Sequence, residues 1–291
     1  MKLFLHSKSL GVLLILAGCT SASASLVNLY TFNGSNANDS VGGANGTVVD
    51  PGAVTATYFT SGNQRSLDLR GNTGQGSNSI TEDAFVDLPN GIMTTAATTG
   101  TSGALSISVW VTVDTNRNWA EIYAFGTSNG GENTAGGGSS SPYLALIPST
   151  GDNQSLRSTT HSASGVELSV STAAAASLST GVQHHLVTVY DQSGGVPGTI
   201  SFYLDNALVG TGPIAGGLDL NTFTNNNNWL GRSMWPDPVF DGLINEVGIY
   251  NTALTAGEVS GIFNAGPAPI PEPGSAVLAL AGLAACRRRR R

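Results

Sequence analysis

The longest regular pattern in the chain alternates. Leu105, Ile107, Val109, Val111 and Val113 fall on one face of residues 105–113, and Ser106, Ser108, Trp110 and Thr112 fall on the other. A period of two belongs to a strand; wound as a helix, the same aliphatic side chains would scatter around the circumference. Shorter runs of β type predict further strands at 26–32, 66–70, 84–88, 121–125, 143–147, 166–170, 185–190, 199–205, 229–231 and 243–250. Clusters rich in Gly, Ser, Thr and Asn separate them, notably 34–46, 71–78, 128–141 and 225–228. Helical character is confined to 255–263, where Thr255 as N-cap and Glu258 three residues on make a capping box. Many short strands with turn-rich connections predict an all-β fold, a two-sheet antiparallel β-sandwich with one short helix near its end. Residues 26–264 form that domain, and 265–273 read as a linker.

Both ends carry a different pattern. Residues 1–25 read as a secretory signal peptide: Lys2 and Lys8 give a basic start, and residues 10–17 an apolar stretch. Ala22-Ser23-Ala24 offers cleavage between Ala24 and Ser25, while Leu16-Ala17-Gly18-Cys19 fits a lipobox that would acylate Cys19. At the other end stand Pro271-Glu272-Pro273, an apolar run, and Arg287, Arg288, Arg289, Arg290 and Arg291. As a helix of about eleven residues that run reaches about 16 Å, short of a hydrocarbon core about 30 Å thick. It is expected to be a C-terminal hydrophobic helix (274–291 with its arginines) that enters the membrane as a transmembrane helix at least before processing, its basic end on the cytoplasmic side. The ordered tail resembles the PEP-CTERM sorting signal of Gram-negative bacteria. That resemblance implies export, an exosortase-type processing enzyme as partner, and delivery to the cell surface, outer membrane or extracellular matrix.

Composition narrows the chemistry. Cys19 and Cys286 are the only cysteines, and both lie in the terminal segments, so the body uses neither disulfides nor thiol chemistry. The body holds five arginines and no lysine against eighteen carboxylates, a net charge of −13. Such a surface repels nucleic acid and attracts cations.

Several ordered segments then add up: Leu29-Tyr30-Thr31-Phe32, Asp39-Ser40-Val41-Gly42, Ala84-Phe85-Val86-Asp87-Leu88-Pro89, the 105–113 strand, His184-His185-Leu186-Val187-Thr188-Val189-Tyr190, and Asp241-Gly242-Leu243-Ile244-Asn245-Glu246-Val247-Gly248-Ile249-Tyr250. Together they resemble a laminin G-like (concanavalin A-like lectin/glucanase) jelly-roll domain over about 26–264. The resemblance implies the jelly-roll form of the sandwich; it leaves function open, because that fold carries lectins, adhesion modules and enzymes. Gln183 stands where the family usually has Trp, and Asn245 where it usually has Asp. One structural Ca²⁺ is the cofactor the resemblance implies, held by Asp39 with Asn245 or Glu246; Asn45 joins them on side-chain chemistry, since Ca²⁺ takes six to eight hard oxygens. The alternative is that Asp39 and Asn45 only shape turns.

No paired-carboxylate strand motif, no G-x-S-x-G turn and no His/Cys metal spacing occurs in the body. His185 reads as a packed strand residue, and Glu121 as a lone acid at the head of a strand. Carbohydrate binding asks for an aromatic platform flanked by amides and carboxylates. Trp235, Trp229 and Trp119 are the candidates, with Asp237 and Asn228 beside them; Trp235 lies in a loop, away from any predicted core. The expected function is an exported, non-catalytic module that binds extracellular polysaccharide or a surface protein. The alternatives are a polysaccharide-cleaving hydrolase or lyase on the same fold, or a structural coat protein.

Overall fold

The computed structural model describes residues 25–270, apart from 51, 53 and 75–82. The signal peptide, Cys19 and Ala24, and the tail from Pro271 to Arg291, lie outside the described residues.

Two antiparallel sheets face each other. The first runs β13 (Ala207–Pro213), β12 (Thr199–Leu204), β11 (Gln183–Asp191), β6 (Ala104–Val113), β15 (Gly242–Tyr250), β4 (Gln64–Asp68) and β3 (Thr57–Ser61), with β1 (Leu26–Tyr30) also on β15. The second runs β10 (Glu167–Ser171), β9 (Arg157–His161), β8 (Tyr143–Ile147), β7 (Tyr123–Gly126), β14 (Asn227–Leu230), β5 (Phe85–Leu88) and β2 (Thr47–Val49). This is the two-sheet sandwich that the strand pattern predicts, in the jelly-roll form that the resemblance implies. The five aliphatic side chains of β6 are fully buried between the sheets, against Phe125, Leu144 and Leu146 from the second sheet. Burying each contributes about 1.5–3 kcal/mol.

β15 pairs with β6 in register until a bulge at Asn245: Ile244 opposes Val111, but Glu246 opposes Trp110. The extra residue changes the phase of the strand. Ile244, Val247 and Ile249 therefore all reach the core. Asp205 and Asn206 have φ of 47° and 69°, the left-handed pair that a two-residue type I′ hairpin between β12 and β13 requires.

A helix α2 (Ala256–Ala265) covers the outer face of the first sheet, and its capping box forms as the sequence predicts: Thr255 accepts from the Glu258 N–H, and the Glu258 carboxylate accepts from the Thr255 N–H. Under it Val187, Val189, Leu254 and Val259 pack together. The Trp110 ring stacks on His185 at 4.5 Å and on Phe263 at 5.9 Å, so Trp110 is sealed beneath α2 rather than open to solvent. His185 accepts or donates a hydrogen bond with Ser108 at 2.8 Å, and burial lowers its pKa to about 4, so it packs as a neutral ring.

Four strands carry no run that the sequence pattern marks: β2, β3, β9 and β13. A second helix α1 (Ile92–Thr99) is likewise unmarked, being rich in Thr and opening on a left-handed Gly91. Its N-terminus is capped from afar, where Asn225 Oδ1 accepts from the Met93 N–H at 3.1 Å. The expected transmembrane helix is corrected: among the described residues no helix is long and apolar enough to cross a membrane. Residues 274–291, on which that expectation fell, lie outside the described residues, and their apolar run of about eleven residues is short of the about 20 that a span needs.

Candidate functional site

The outer face of the second sheet is covered by loops instead of a helix. On that face small side chains sit in one row, where Ala145 of β8 pairs with Thr159 of β9 on one side and Ala124 of β7 on the other. Alternation sends Leu144 and Leu146 inward and turns Tyr143, Ala145 and Ile147 outward. Residues 231–240 arch over this floor. The Phe240 N–H donates to Gly231 O at 3.0 Å and closes the arch, and the Gly137 N–H donates to Met234 O at 3.1 Å, tying it to the 128–141 loop.

Between arch and sheet lies a cavity of about 270 Å³. Trp119 and Trp235 line it, with Tyr143, Ile147 and Thr159 from the strands, and Glu121, Glu167 and Asp237 supplying three carboxyls. Both tryptophans are half-buried. Trp235 rests against Gly137 and Gly138, where any Cβ on Gly138 would strike its indole. Its Nε1–H donates to Tyr143 Oη at 3.2 Å, and the Tyr143 hydroxyl donates to Glu167 Oε2 at 3.3 Å. Trp119 sits at φ 67°, a left-handed conformation that costs a bulky residue about 1 kcal/mol or more. Its N–H is held by Ser149 O at 2.9 Å, and its ring leaves no room for a Cβ on Gly151. Arg157 lies over the Trp119 ring at 5.4 Å while pairing with Asp152 at 2.6 Å.

Two of the carboxyls, Glu121 and Asp237, are desolvated. Burial raises Glu121 well above the usual carboxylate range, with the charge of Asp237 adding to it and bonds from Ser233 and Met234 opposing it. Glu121 is 3% exposed, yet its Oε2 has no hydrogen-bond partner. Burial likewise raises Asp237 to about 6, although the Ser233 hydroxyl donates to it at 3.2 Å. Burial and the neighbouring Glu167 and Glu121 charges raise the Tyr143 phenol, which stays neutral. An unpartnered buried acceptor beside two indole rings is a place that a ligand hydroxyl or N–H can complete.

The structure thus brings Trp119, Trp235 and Asp237 together and leaves Trp229 and Asn228 out. Trp229 is fully buried, with the Arg232 guanidinium 4.2 Å over its ring, and is no platform for a ligand. Asn228 is also fully buried, and its Nδ2–H donates to Pro89 O and Asn225 O. Both belong to β14 in the middle of the sheet, where the neighbouring strands and the arch bury either face. Glu121, Tyr143 and Glu167 are site residues that the sequence reading did not mark. The alternation of Tyr143, Ala145 and Ile147 against two inward leucines was the signal for Tyr143; Glu167 carried none.

The four residues expected at a cation serve the fold. The Asp39 carboxylate accepts from the Asn28 amide and from the N–H groups of Leu29, Val41, Gly42 and Ala44, at 2.7–3.0 Å. Five donors exhaust the roughly four lone-pair sites of a carboxylate, so Asp39 has none left to offer a cation. Burial works to raise Asp39, but these bonds outweigh it and its pKa is lowered. Asn45 Oδ1 accepts from the Asp39 N–H, Asn245 donates to Arg65 O and Ser66 Oγ, and Glu246 accepts from the Ala268 N–H. Among the described residues no group of three or more His, Cys, Asp or Glu is arranged to hold a metal ion.

A two-sheet jelly roll with an aromatic-walled cavity on one outer face defines a lectin-type sandwich. The chain belongs to the concanavalin A-like lectin/glucanases superfamily, whose family model matches residues 81–260. No curated protein matches its sequence. Among solved structures it is similar to domain 4 of AbnA, an extracellular arabinanase of Geobacillus stearothermophilus in complex with arabinotriose, with 21% identity and a TM-score of 0.59 over 82% of this chain and 98% of that one. It is also similar to the binding domain of botulinum neurotoxin serotype G (15% identity, TM-score 0.52, 83% and 51% covered). The binding domain of Paraclostridial mosquitocidal protein 1 gives 15% identity and a TM-score of 0.51, with 82% and 52% covered. The chain spans about half the length of those two toxin domains, and identities this low establish the shared fold alone.

Proposed function

We propose that the protein is an exported, non-catalytic binding module that holds a carbohydrate in the Trp119–Trp235 cavity. The observation that carries this reading is the cavity itself: two half-buried indoles held in place by close glycine contacts, facing three carboxyls of which the buried Glu121 keeps one oxygen unpartnered. Indole faces take the apolar face of a pyranose or furanose ring, and polar groups at the rim take its hydroxyls. The volume is near the lower end of ligand pockets, which run about 300–1,000 Å³, and suits one sugar unit of a longer glycan. The arabinotriose held by a domain of the same fold supports this class of ligand. A glycan array probed with the wild-type protein and with Trp235→Ala tests it: capture of a defined set of glycans that the variant loses is the expected result, and a blank array overturns the reading.

The targeting segments complete the proposal. Pro271-Glu272-Pro273, the apolar run and the five arginines act as a PEP-CTERM-type sorting signal cut by an exosortase-type enzyme, so the module works at the surface or in the matrix of a Gram-negative-type bacterium. Mass spectrometry of the C-terminal peptide in membrane and extracellular fractions checks this; an intact Arg291 terminus in the extracellular fraction counts against it.

A further inference from the structure

The cavity has a sign as well as a shape. Three of its walls are carboxyls and three are aromatic rings, and no lysine or arginine lines it. Arg157 comes nearest in kind, but its charge is already matched by Asp152 at 2.6 Å, and it lies over Trp119 as a cation on an indole. The body around the cavity carries net −13 with no lysine. For a neutral sugar, three carboxyls around one cavity are more than hydroxyl recognition needs, because one or two carboxylates or amides satisfy a pair of hydroxyls. Gathering the buried Glu121, the half-buried Asp237 and Glu167 at the mouth around one cavity is costly unless something positive arrives, since desolvation of the inner pair and mutual repulsion both oppose ionisation. A cation answers all of these features at once. It neutralises the carboxyls, donates N–H groups to the unpartnered Glu121 Oε2, and is attracted by the faces of Trp235, Trp119 and Tyr143.

We propose that the cavity selects an amino-sugar unit with a free ammonium, its ring on the Trp235 indole and its –NH₃⁺ among Glu121, Glu167 and Asp237. This rests on the reading that the cavity holds a saccharide. Each group has a separate duty. Trp235 is the platform, because Gly137 and Gly138 back one face of its ring and Tyr143 fixes its tilt through the Nε1–H bond. Glu167 is the partner at the mouth, being exposed and bonded to the Tyr143 hydroxyl. Glu121 is the deep acceptor. Asp237 sets the pH response: held near 6 in the empty cavity, it gives up its proton as the ammonium enters. Tyr143 does not titrate in the working range. His161, stacked on Tyr143 at 4.8 Å, is engaged by Ser141 O and does not line the cavity.

The test is a calorimetric titration of the whole protein with glucosamine oligomers and with N-acetylglucosamine oligomers of the same length. At pH 6.5 the free amine is expected to bind at least about tenfold tighter. Lowering the pH to 5 adds protons to the sugar amine, so a fall in affinity there must come from the protein; a several-fold fall is expected. Glu167→Gln and Asp237→Asn should each shrink the ratio of amine to N-acetyl affinity toward one, and thermal melts confirm that these variants fold. Trp235→Ala should abolish binding of both. Equal affinities for the two oligomers would overturn the cation preference and leave the saccharide reading intact. Amine binding that survives Trp235→Ala would mean adsorption on the acidic surface and would also overturn it. If neither oligomer binds, the proposal fails, and the glycan array decides separately whether a neutral glycan still uses the cavity.

Discussion

The two sheets have the same inner faces and opposite outer ones. Over the first sheet, α2 lies down with Val259 and Phe263 beneath it, and Trp110 disappears into a three-ring stack. Over the second, the 128–141 and 231–240 loops cover Phe85, Trp229 and Met234 but leave Trp119 and Trp235 beside open space. A helix presents a continuous stripe of side chains and can seal a sheet face. Loops turn away from the sheet and must satisfy their own backbone, so gaps are left between them. The four tryptophans therefore divide by how completely they are covered, α2 sealing Trp110 and the loops sealing Trp229, not by their sequence neighbours. Trp110 and Trp229 are packed structural residues, and Trp119 and Trp235 line the proposed site.

The most direct way to break that division is to truncate one tryptophan of each kind. Trp229→Ala removes a fully buried indole and its Arg232 and Phe85 contacts. It should cost about 3–5 kcal/mol and melt the protein many degrees lower. Trp235→Ala should cost much less stability while removing ligand binding. Equal losses of stability from the two would show that the cavity walls are ordinary core.

Asp39→Ala comes next. It leaves two donors of β1 and three of the early loop without their acceptor, each capable of costing about 1 kcal/mol or more where water cannot reach. A loss of about 3 kcal/mol in denaturant unfolding is expected, and neither Ca²⁺ nor a chelator should shift the wild-type melting temperature. A clear rise with Ca²⁺ would restore the cation site.

The buried acids predict a pH dependence of the opposite sign from most proteins. Burial, helped by the Glu132 charge, raises Asp87 to about 6, and burial raises Asp237 to about 6, from 3.8. Between pH 4 and 6 the folded state holds these protons while the unfolded chain has lost them. Stability then falls as pH rises through this window and levels off above it, except that Glu121 extends the slope upward. Below pH 4 the lowered Asp39 reverses the trend, because its bonds require the ionised form. The melting temperature should be higher at pH 4.5 than at pH 7.5, and Asp237→Asn should flatten the difference. A rise toward pH 7.5 would mean that the second sheet's acids are solvated.

These contrasts also explain what could be read before the structure. The inward face of β6 was legible because it alternates aliphatic and polar residues, and β8, β11 and β15 stood out as runs of β-type residues. β9 was not, since Arg-Ser-Thr-Thr-His has no apolar member, yet Ser158, Thr159, Thr160 and His161 are all buried. Its place is set by hydroxyl bonds across the sandwich: Ser158 with Thr188 at 3.1 Å, and Tyr123 to the same Thr188 at 3.1 Å. Such a network depends on partners 30 and 65 residues away, and no local pattern encodes it. The site was half legible for the same reason. Trp235 stood out in a loop and Asp237 followed it, whereas Glu121 and Glu167 become neighbours of Trp235 only when three segments converge.

The smallest effect tests the side of the comparison that the sequence described best. Thr255→Ala removes the side-chain half of the capping box, freeing the Glu258 N–H at the start of α2. N-cap losses of this type cost about 1 kcal/mol, which moves the melting temperature of a domain this size by about 2–4 °C. Because α2 covers the first sheet only, ligand affinity in the cavity of the second sheet should stay within experimental error. A measurable loss of binding in this variant would show that the two outer faces are coupled through the core, and that the helix does more than seal Trp110.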